Sequence, residues 1–268
     1  MNYEEKKEYG RYFIKSPELD GDVKSDQQLK LKQPPLVKDK MSNNSIKLSL
    51  DFSELNIKND FLEIINSRKS SRIYTEEGMT LLQLSYLLWI TQGVKGIRGK
   101  SYATLRTVPS AGGRHPFETY LAIQRVKELE SGLYHYLPMT HELEYLGKLN
   151  DYKEFINKSV HGQLWATKAD VMFYYSFVCY RGEWRYGISS HRVALMDIGY
   201  VSENLYLACA SIGLGTCAIG GVDPICDEVF NLDGKEEFMF ICQSVGTIKV
   251  QDEYKEKEFY KFVEEEGL

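Results

Sequence analysis

The sequence predicts a soluble globular chain that mixes helices and strands. Three observations predict it. Of the 268 residues, 43% are apolar and 26% charged, a balance that encloses a core in one large domain or two small ones and is too apolar for a disordered chain. Residues 80–92 and 189–212 repeat apolar side chains at a spacing near 3.6. Residues 118–124 alternate like a strand, and residues 171–178 form an uncharged run of β-branched and aromatic side chains.

Residues 1–44 hold 17 charged side chains, 9 basic and 8 acidic, so this segment cannot supply core. Pro34-Pro35 forces extended backbone, and Asp20-Gly21-Asp22 marks a turn. We expect residues 1–50 to be an extended arm on a surface, anchored by Tyr3, Tyr9, Tyr12 and Phe13, with the globular unit at 51–268. Phe61, Leu62, Ile64 and Ile65 fit a short helix capped by Asp60. Thr80 starts a clearer helix through Leu81, Leu84, Leu87 and Leu88, stopped at Gly93. Glu118 to Gln124 reads as a strand. Gly132 to Pro138 and Leu143 to Leu146 read as a hairpin. Val171 to Val178 reads as a central strand. Ser189 or Ser190 opens a long helix ending at Gly213 and Gly215, apolar on its stripe and on its flanks at Leu195, Ile198, Leu207 and Ala210. Such a helix is buried on more than one side, here by a second subunit. A strand at Thr216 to Ile219, a helix from Asp223-Pro224 and a strand at Phe238 to Val245 follow. From Lys249 the tail carries 11 charges in 20 residues, with one weak apolar stripe of Phe259, Phe262 and Val263.

Several functions are excluded. The net charge of -5 leaves no basic excess for a phosphate backbone, so no nucleic acid is expected. A membrane helix needs about 18 or more consecutive apolar residues, and the strongest run, Val171 to Tyr180, has ten. Residues 1–20 contain no apolar signal-peptide core. The five cysteines are odd in number, scattered and mostly set in apolar runs, as in a reduced, cytoplasmic chain. No C-x-x-C or H-E-x-x-H suggests a metal. The GTCAIGG stretch at 215–221 lacks the P-loop lysine, and its helix-then-strand order is the reverse of a Rossmann turn. No G-x-S-x-G elbow is present, and no cysteine has a neighbouring cation to activate it. His135 and His141 sit among alternating aromatics, as sheet or turn histidines do.

Three segments remain. Arg68-Lys69-Ser70-Ser71-Arg72 packs three cations and two hydroxyls, which suits a phosphate dianion; solvated cations at a helix C-terminus give the same pattern. Pro109-Ser110-Ala111-Gly112-Gly113-Arg114-His115-Pro116 is a rigid loop of small residues that a flat ligand can approach, or an ordinary turn before a strand. In Gly213 to Gly221 the first two glycines stop a helix. Gly220 and Gly221 are costly in a strand, so they mark either ligand approach to backbone N–H groups or a β-bulge.

The order Arg-x-Ser-x-Arg, then P-S-A-G-G-x-H-P, then a long helix ending GLGTCAIGG resembles the nitroreductase superfamily of FMN enzymes. GLYHY at 132–136 and the run RYG…HR…D-x-G…N-L-Y-L-A are similar to its SagB/McbC-type branch, which includes azoline oxidases of modified-peptide biosynthesis. The arm with Gln33-Pro34-Pro35-Leu36 resembles small stand-alone members of that branch. The likeness covers about residues 60–248.

The resemblance implies an α+β fold, a mixed, mainly antiparallel sheet flanked by helices, in an intertwined homodimer with two FMN sites between subunits. It places Arg68, Lys69, Ser70 and Arg72 in the FMN cluster, Arg68 and Ser70 toward phosphate and ribityl chain and Arg72 toward the pyrimidine edge. It puts Pro109, Ser110, Ala111 and Gly112 in the loop bordering the flavin from the partner subunit. Ala218, Ile219, Gly220 and Gly221 become the strand end that meets the ring, with the Gly220 N–H near N5. Relatives hold the phosphate with a C-terminal Lys/Arg pair; the nearest counterparts are Lys249, Lys255 and Lys257. Flavin carries the chemistry, and a cation near N1 and O2 favours the reduced ring. Arg72 is that candidate. Tyr186 is a candidate proton donor and His115 a polar contact of the flavin. Arg185-Tyr186 stands where azoline oxidases carry Lys-Tyr, and Arg cannot act as a base. The expected activity is transfer of two electrons from NAD(P)H to a nitro-aromatic, quinone or similar small acceptor. The alternatives are a peptide-azoline dehydrogenase and a non-catalytic flavin-binding subunit.

Overall fold

The computed structural model describes residues 1–15, 23–249 and 256–267. Nine strands and eight α-helices occur among these residues. Seven strands form one sheet: β1 (Ser45–Lys47), β4 (Phe117–Ile123), β5 (Gly132–Leu137), β6 (Glu142–Gly147), β7 (Val171–Val178), β8 (Leu214–Ile219) and β9 (Glu237–Thr247). Their order is β1-β6-β5-β4-β7-β9-β8, and every pairing is antiparallel. The expected α+β class, a mainly antiparallel sheet flanked by helices, is therefore what the chain adopts.

Strand β7 lies inside this sheet between β4 and β9, because it has no charge to keep wet on either face. Its period of 2 divides the core. Phe173, Tyr175 and Phe177 face a cluster with Leu84, Leu87 and Leu88 of α3 (Leu81–Gln92) and Val201 and Leu205 of α6 (Ser189–Ser211). Met172 and Tyr174 face the other side, packing with Ile156 of α4 (Tyr152–Ser159) and Phe230. Each such side chain contributes about 1.5–3 kcal/mol on burial. All five cysteines are buried thiols.

Helix starts follow the expected chemistry. Asp60 caps α2 (Phe61–Ser67) by accepting from the Glu63 amide. Thr80 and Gln83 close a capping box on α3, and Gly93 ends it. Helix α7 (Ile225–Val229) starts after Asp223-Pro224.

The arm departs from expectation in part. Residues Tyr3–Lys15 form helix α1, stabilised by Glu4 and Glu5 in its first turn, Lys15 in its last, and a Lys7–Glu4 pair at 2.8 Å. Among the described residues Tyr3, Tyr9 and Tyr12 are exposed, Tyr3 lying under Lys7 of its own helix at 5.4 Å, and Phe13 is half-buried. The expected turn at Asp20-Gly21-Asp22 lies outside the described residues. From residue 23 the arm makes a turn at 26–30, where the Leu29 amide donates to the Ser25 carbonyl and the Leu31 amide to the Asp26 carbonyl, and then runs without regular structure to β1. It ends in β1, which pairs with β6 on the near side of the expected division at residue 50.

Reading by periodicity misses the small β2 (Val94–Arg98) and β3 (Ala103–Arg106) hairpin, the amphipathic α4, and α5 (Cys179–Tyr186). Helix α5 continues directly from β7, so no turn signal separates them. Helix α8 (Glu256–Glu266) closes the described chain, with Phe259 and Phe262 exposed. Among the described residues no helix is long and apolar enough to cross a membrane.

Candidate functional site

The first and third segments meet in one cleft. After α2 ends at Arg68, the chain turns extended and crosses β8. Ser70 bridges Thr216, and the Ser71 amide donates to the Thr216 carbonyl at 2.8 Å. Gly215 makes this crossing possible: a Cβ there would lie 2.7 Å from Ser71 Cβ and 2.4 Å from Ile248 Cγ2. Sequence reading treated Gly215 as part of a helix stop; that task falls to Gly213 alone, at φ +73°.

The cleft measures about 890 Å³, and its lining includes Arg68, Lys69, Tyr206, Leu214, Thr216 and Ile248. The Arg68 guanidinium stacks 5.3 Å from the Tyr206 ring centre. The Tyr206 hydroxyl is 3.0 Å from Ser70 Oγ and accepts from the Ala218 amide at 2.9 Å. Tyr206 thus ties the cation cluster to β8, and sequence reading missed it. Its signals are its place on the helix that precedes the glycine run and its position inside N-L-Y-L-A, neither of which assigns it a role. Thr216 Oγ1 is buried without a partner, and Thr216 lines the cleft. Arg72 is exposed, 5.6 Å from the Trp165 ring centre, and stands outside the lining of the cleft.

Gly220 and Gly221 are not interior to the strand. The β8–β9 register runs without a bulge to Ile219, and both glycines follow it, exposed. A Cβ at Gly220 would meet no atom within 4 Å; one at Gly221 would touch His161 at 3.4 Å. Open space, rather than neighbouring protein, lies over this strand end.

The second segment sits elsewhere. Ser110 Oγ donates to Asp197 Oδ2 of α6 at 2.6 Å, and the Ala111 amide donates to the same carboxylate. Burial raises the Asp197 carboxyl, opposed by these donors. Gly112, at φ +58°, packs so closely on α5 that a Cβ would lie 2.5 Å from Arg185 Nε and 2.6 Å from the Tyr186 hydroxyl. His115 is buried, with φ +45°. Burial, and then Arg106, push its imidazole down to about 2, so the ring stays neutral. This is the environment of a packed histidine, and the Arg181 guanidinium donates to its carbonyl at 3.1 Å. Tyr186 is half-buried beside Arg185.

One chain therefore assembles Arg68, Lys69, Ser70 and β8, and separately Ser110, Ala111, Gly112 and Tyr186. Asp197 anchors the loop and Tyr206 lines the cleft. Nine residues separate them on α6, which is 2.5 turns, or opposite sides of the helix about 14 Å apart. The opposite face of α6 is also bare: Leu195, Met196 and Tyr200 are 39%, 44% and 47% exposed.

The chemistry of the cleft suits FMN. Arg68 and Lys69 line it with the Ser67 and Ser71 hydroxyls, while Lys58 pairs with Glu63 and Asp60 caps α2; a phosphate dianion needs such donors, and the orphaned Thr216 hydroxyl wants a partner. Comparison with known proteins decides the family. The nitroreductase family matches residues 65–247. The chain belongs to the nitroreductase family. It is 30% identical over 158 residues to a candidate nitroreductase of Methanocaldococcus jannaschii, covering 59% of this chain and 77% of that protein. It is 26% identical over 148 residues to the microcin B17-processing protein McbC of Escherichia coli, and here it spans 54% of the relative's length. A solved structure of a candidate nitroreductase from Ralstonia eutropha aligns with TM-score 0.63 at 25% identity, over 82% of this chain and 96% of that one. A chain of the E. coli microcin synthetase McbBCD complex aligns over 92% of this chain and 93% of its own, with TM-score 0.59 at 19% identity.

Proposed function

We propose that this chain is an FMN-dependent oxidoreductase that works as a homodimer in the cytoplasm. It takes two electrons from NAD(P)H and delivers them to a nitro-aromatic, quinone or similar small acceptor. One observation carries the reading. The cationic cleft meets α6 at Tyr206 and the Pro109–Gly112 loop meets it at Asp197, on opposite sides of the helix; in this reading each is half of a site. Two copies supply the missing halves to each other. In this reading Arg68, Lys69 and Ser70 hold the phosphate and ribityl chain, and Arg72 faces the pyrimidine edge. Ala218 to Gly221 offer backbone to the ring, and Pro109, Ser110, Ala111 and Gly112 come from the partner. Bound FMN supplies two-electron hydride chemistry at N5. The protein's part is to orient the ring, exclude water and hold a cation where negative charge collects. Tyr186 is the candidate proton donor. His115, buried and neutral, holds the Ser110–Gly113 turn rather than a reacting proton. Residues 1–50 strap a catalytic unit formed by 51–268.

The test is an absorption spectrum of the purified protein, then chromatography of the flavin released on denaturation. A flavin spectrum, released FMN and NAD(P)H oxidation with a nitro-aromatic acceptor are expected. A protein that stays colourless in excess FMN sinks the reading. A second reading, an azoline dehydrogenase acting on peptides, is favoured by the McbC likeness. Arg185 weighs against it, since a guanidinium does not take up a proton in the role of a base. Turnover of a thiazoline peptide in place of the nitro-aromatic would establish that alternative.

A further inference from the structure

We propose that Arg185, with Arg114 behind it, forms a site for an anionic oxygen group, carboxylate or phosphate, on a molecule that enters at the Tyr186 end of α5. The inference deepens the oxidoreductase reading and rests on it for which molecule that is: the acceptor or the nucleotide donor.

The first ground is uncompensated charge. Arg114 is 2% exposed and lies 4.9 Å from the Tyr102 ring centre and 5.3 Å from that of Trp184. Its hydrogen bonds go to the carbonyls of Tyr102 and Gly112. Arg185 stands 5.9 Å from the Tyr102 ring centre and 5.3 Å from that of Tyr186. Its Nη1 donates to Gln27 Oε1 at 3.2 Å and to the Tyr102 hydroxyl. Among the described residues neither guanidinium has a carboxylate within ion-pair distance. The acids nearby are engaged elsewhere. Asp26 accepts from the Tyr180 hydroxyl, Glu183 is paired with His191 at 2.7 Å, and Asp197 accepts from Ser110 and Ala111.

Aromatic faces compensate a buried cation only in part. Arg114, 2% exposed, has rings and carbonyls around it, and the half-buried Arg185 beside it adds a second positive charge. An anion at Arg185 would offset both.

The second ground is preorganisation. Arg185 Nε is buried without a hydrogen-bond partner, pressed on Gly112, whose missing side chain lets the guanidinium lie flat on the loop. Nη2 has no partner among the described residues. The neutral Gln27 side chain from the arm covers one edge, held in turn by Tyr102 at 2.9 Å. A flat guanidinium walled by Tyr102 and Tyr186 fits a planar group, carboxylates above all.

The experiment is isothermal titration of the FMN-reconstituted protein with benzoate, benzyl alcohol and inorganic phosphate. Benzoate or phosphate should bind at least about tenfold tighter than benzyl alcohol, as one charge-assisted hydrogen bond implies. Tighter benzoate assigns the anion to the acceptor substrate; tighter phosphate assigns it to the nucleotide donor. Arg185→Met should erase the preference. Gln27→Glu, nearly isosteric, places a carboxylate on Arg185 and should weaken the anion about tenfold even if the first variant fails to fold. No preference in the wild type, or a preference untouched by Gln27→Glu, overturns the proposal. If the protein holds no flavin, the oxidoreductase reading falls, while the same titration on that protein still decides the anion site.

Discussion

At the scale of single residues, two glycines on one strand do opposite work. Gly215 is enclosed by Ser71 and Ile248, so Gly215→Ala should cost about 1–3 kcal/mol by overpacking, read as a lower urea midpoint. Gly220 faces open space, so Gly220→Val should leave the midpoint within about 0.5 kcal/mol and still lower FMN affinity. A fully flavin-loaded Gly220→Val protein would remove the strand end from the site. Arg72→Ala should weaken FMN about tenfold and make the bound flavin harder to reduce, measured by titration and by redox potential. The cations and small residues were legible in the sequence because their chemistry is local. Tyr206 and Asp197 stand inside the N-L-Y-L-A and D-x-G runs, but their roles were not legible, since a tyrosine or an aspartate on a helix says nothing of what it faces until the sheet is built.

At the scale of elements, the arm is the feature sequence reading described least well. Its charge density correctly barred it from the core, but charge alone could not say what it ties down. Lys38 donates its amide to Glu118 at 2.8 Å and its ammonium to Glu237 at 2.5 Å. The Met41 and Ser42 amides donate to Glu144 at 2.8 and 2.7 Å. Beneath them His135, wholly buried, lies 2.7 Å from Glu144 and 3.4 Å from Glu118. Burial opposes its charge, yet the hydrogen bonds its ring donates to Glu118 and Glu144 win and raise its proton affinity. Burial likewise opposes the Glu118 charge, and Arg181 with His135 outweighs it, holding that carboxyl well below the usual range. The sign follows. A raised histidine stabilises the fold fully below about pH 6.5, its ordinary value, and the gain is lost as pH climbs through the higher folded value. The depressed Glu118 stabilises above about pH 4.5 and loses its contribution as pH falls. The wild-type urea midpoint should therefore decline from pH 6.5 to pH 9, and His135→Gln should flatten that decline while lowering stability at pH 6.5 by about 3 kcal/mol. An equally steep decline in the variant would take His135 out of the network. The two histidines expected to be sheet or turn residues are so placed: His135 in β5, and His141 in the β5–β6 turn, 2.7 Å from the Tyr136 hydroxyl.

At the scale of the whole molecule, the fold was legible because its signals are periodic. Period 2 along β4, an uncharged β-branched and aromatic run along β7, and period 3.6 along α3 and α6 set both layers. The β2–β3 hairpin was not, since its half-exposed strands carry charges and glycine and no clean alternation. The all-round apolar character of α6 has a partial outcome: one face builds the core, and Leu195, Met196 and Tyr200 stay bare. If that face joins two copies, Tyr200→Glu should yield a monomer in analytical ultracentrifugation with unchanged far-ultraviolet circular dichroism. That monomer should lose flavin, because each cleft would lack its partner's loop. A variant that stays dimeric and yellow would place the contact elsewhere.

One rigid rod also links the Ser110–Ala111 loop and the cleft. Helix α6 is 23 residues long, about 35 Å, with Asp197 accepting from the loop and Tyr206 lining the cleft. Ligand loading on one side of a dimer would thus press, through the loop and the rod, on the empty side. Native mass spectrometry at sub-saturating FMN should then find empty and doubly filled dimers, with the singly filled species below its statistical share.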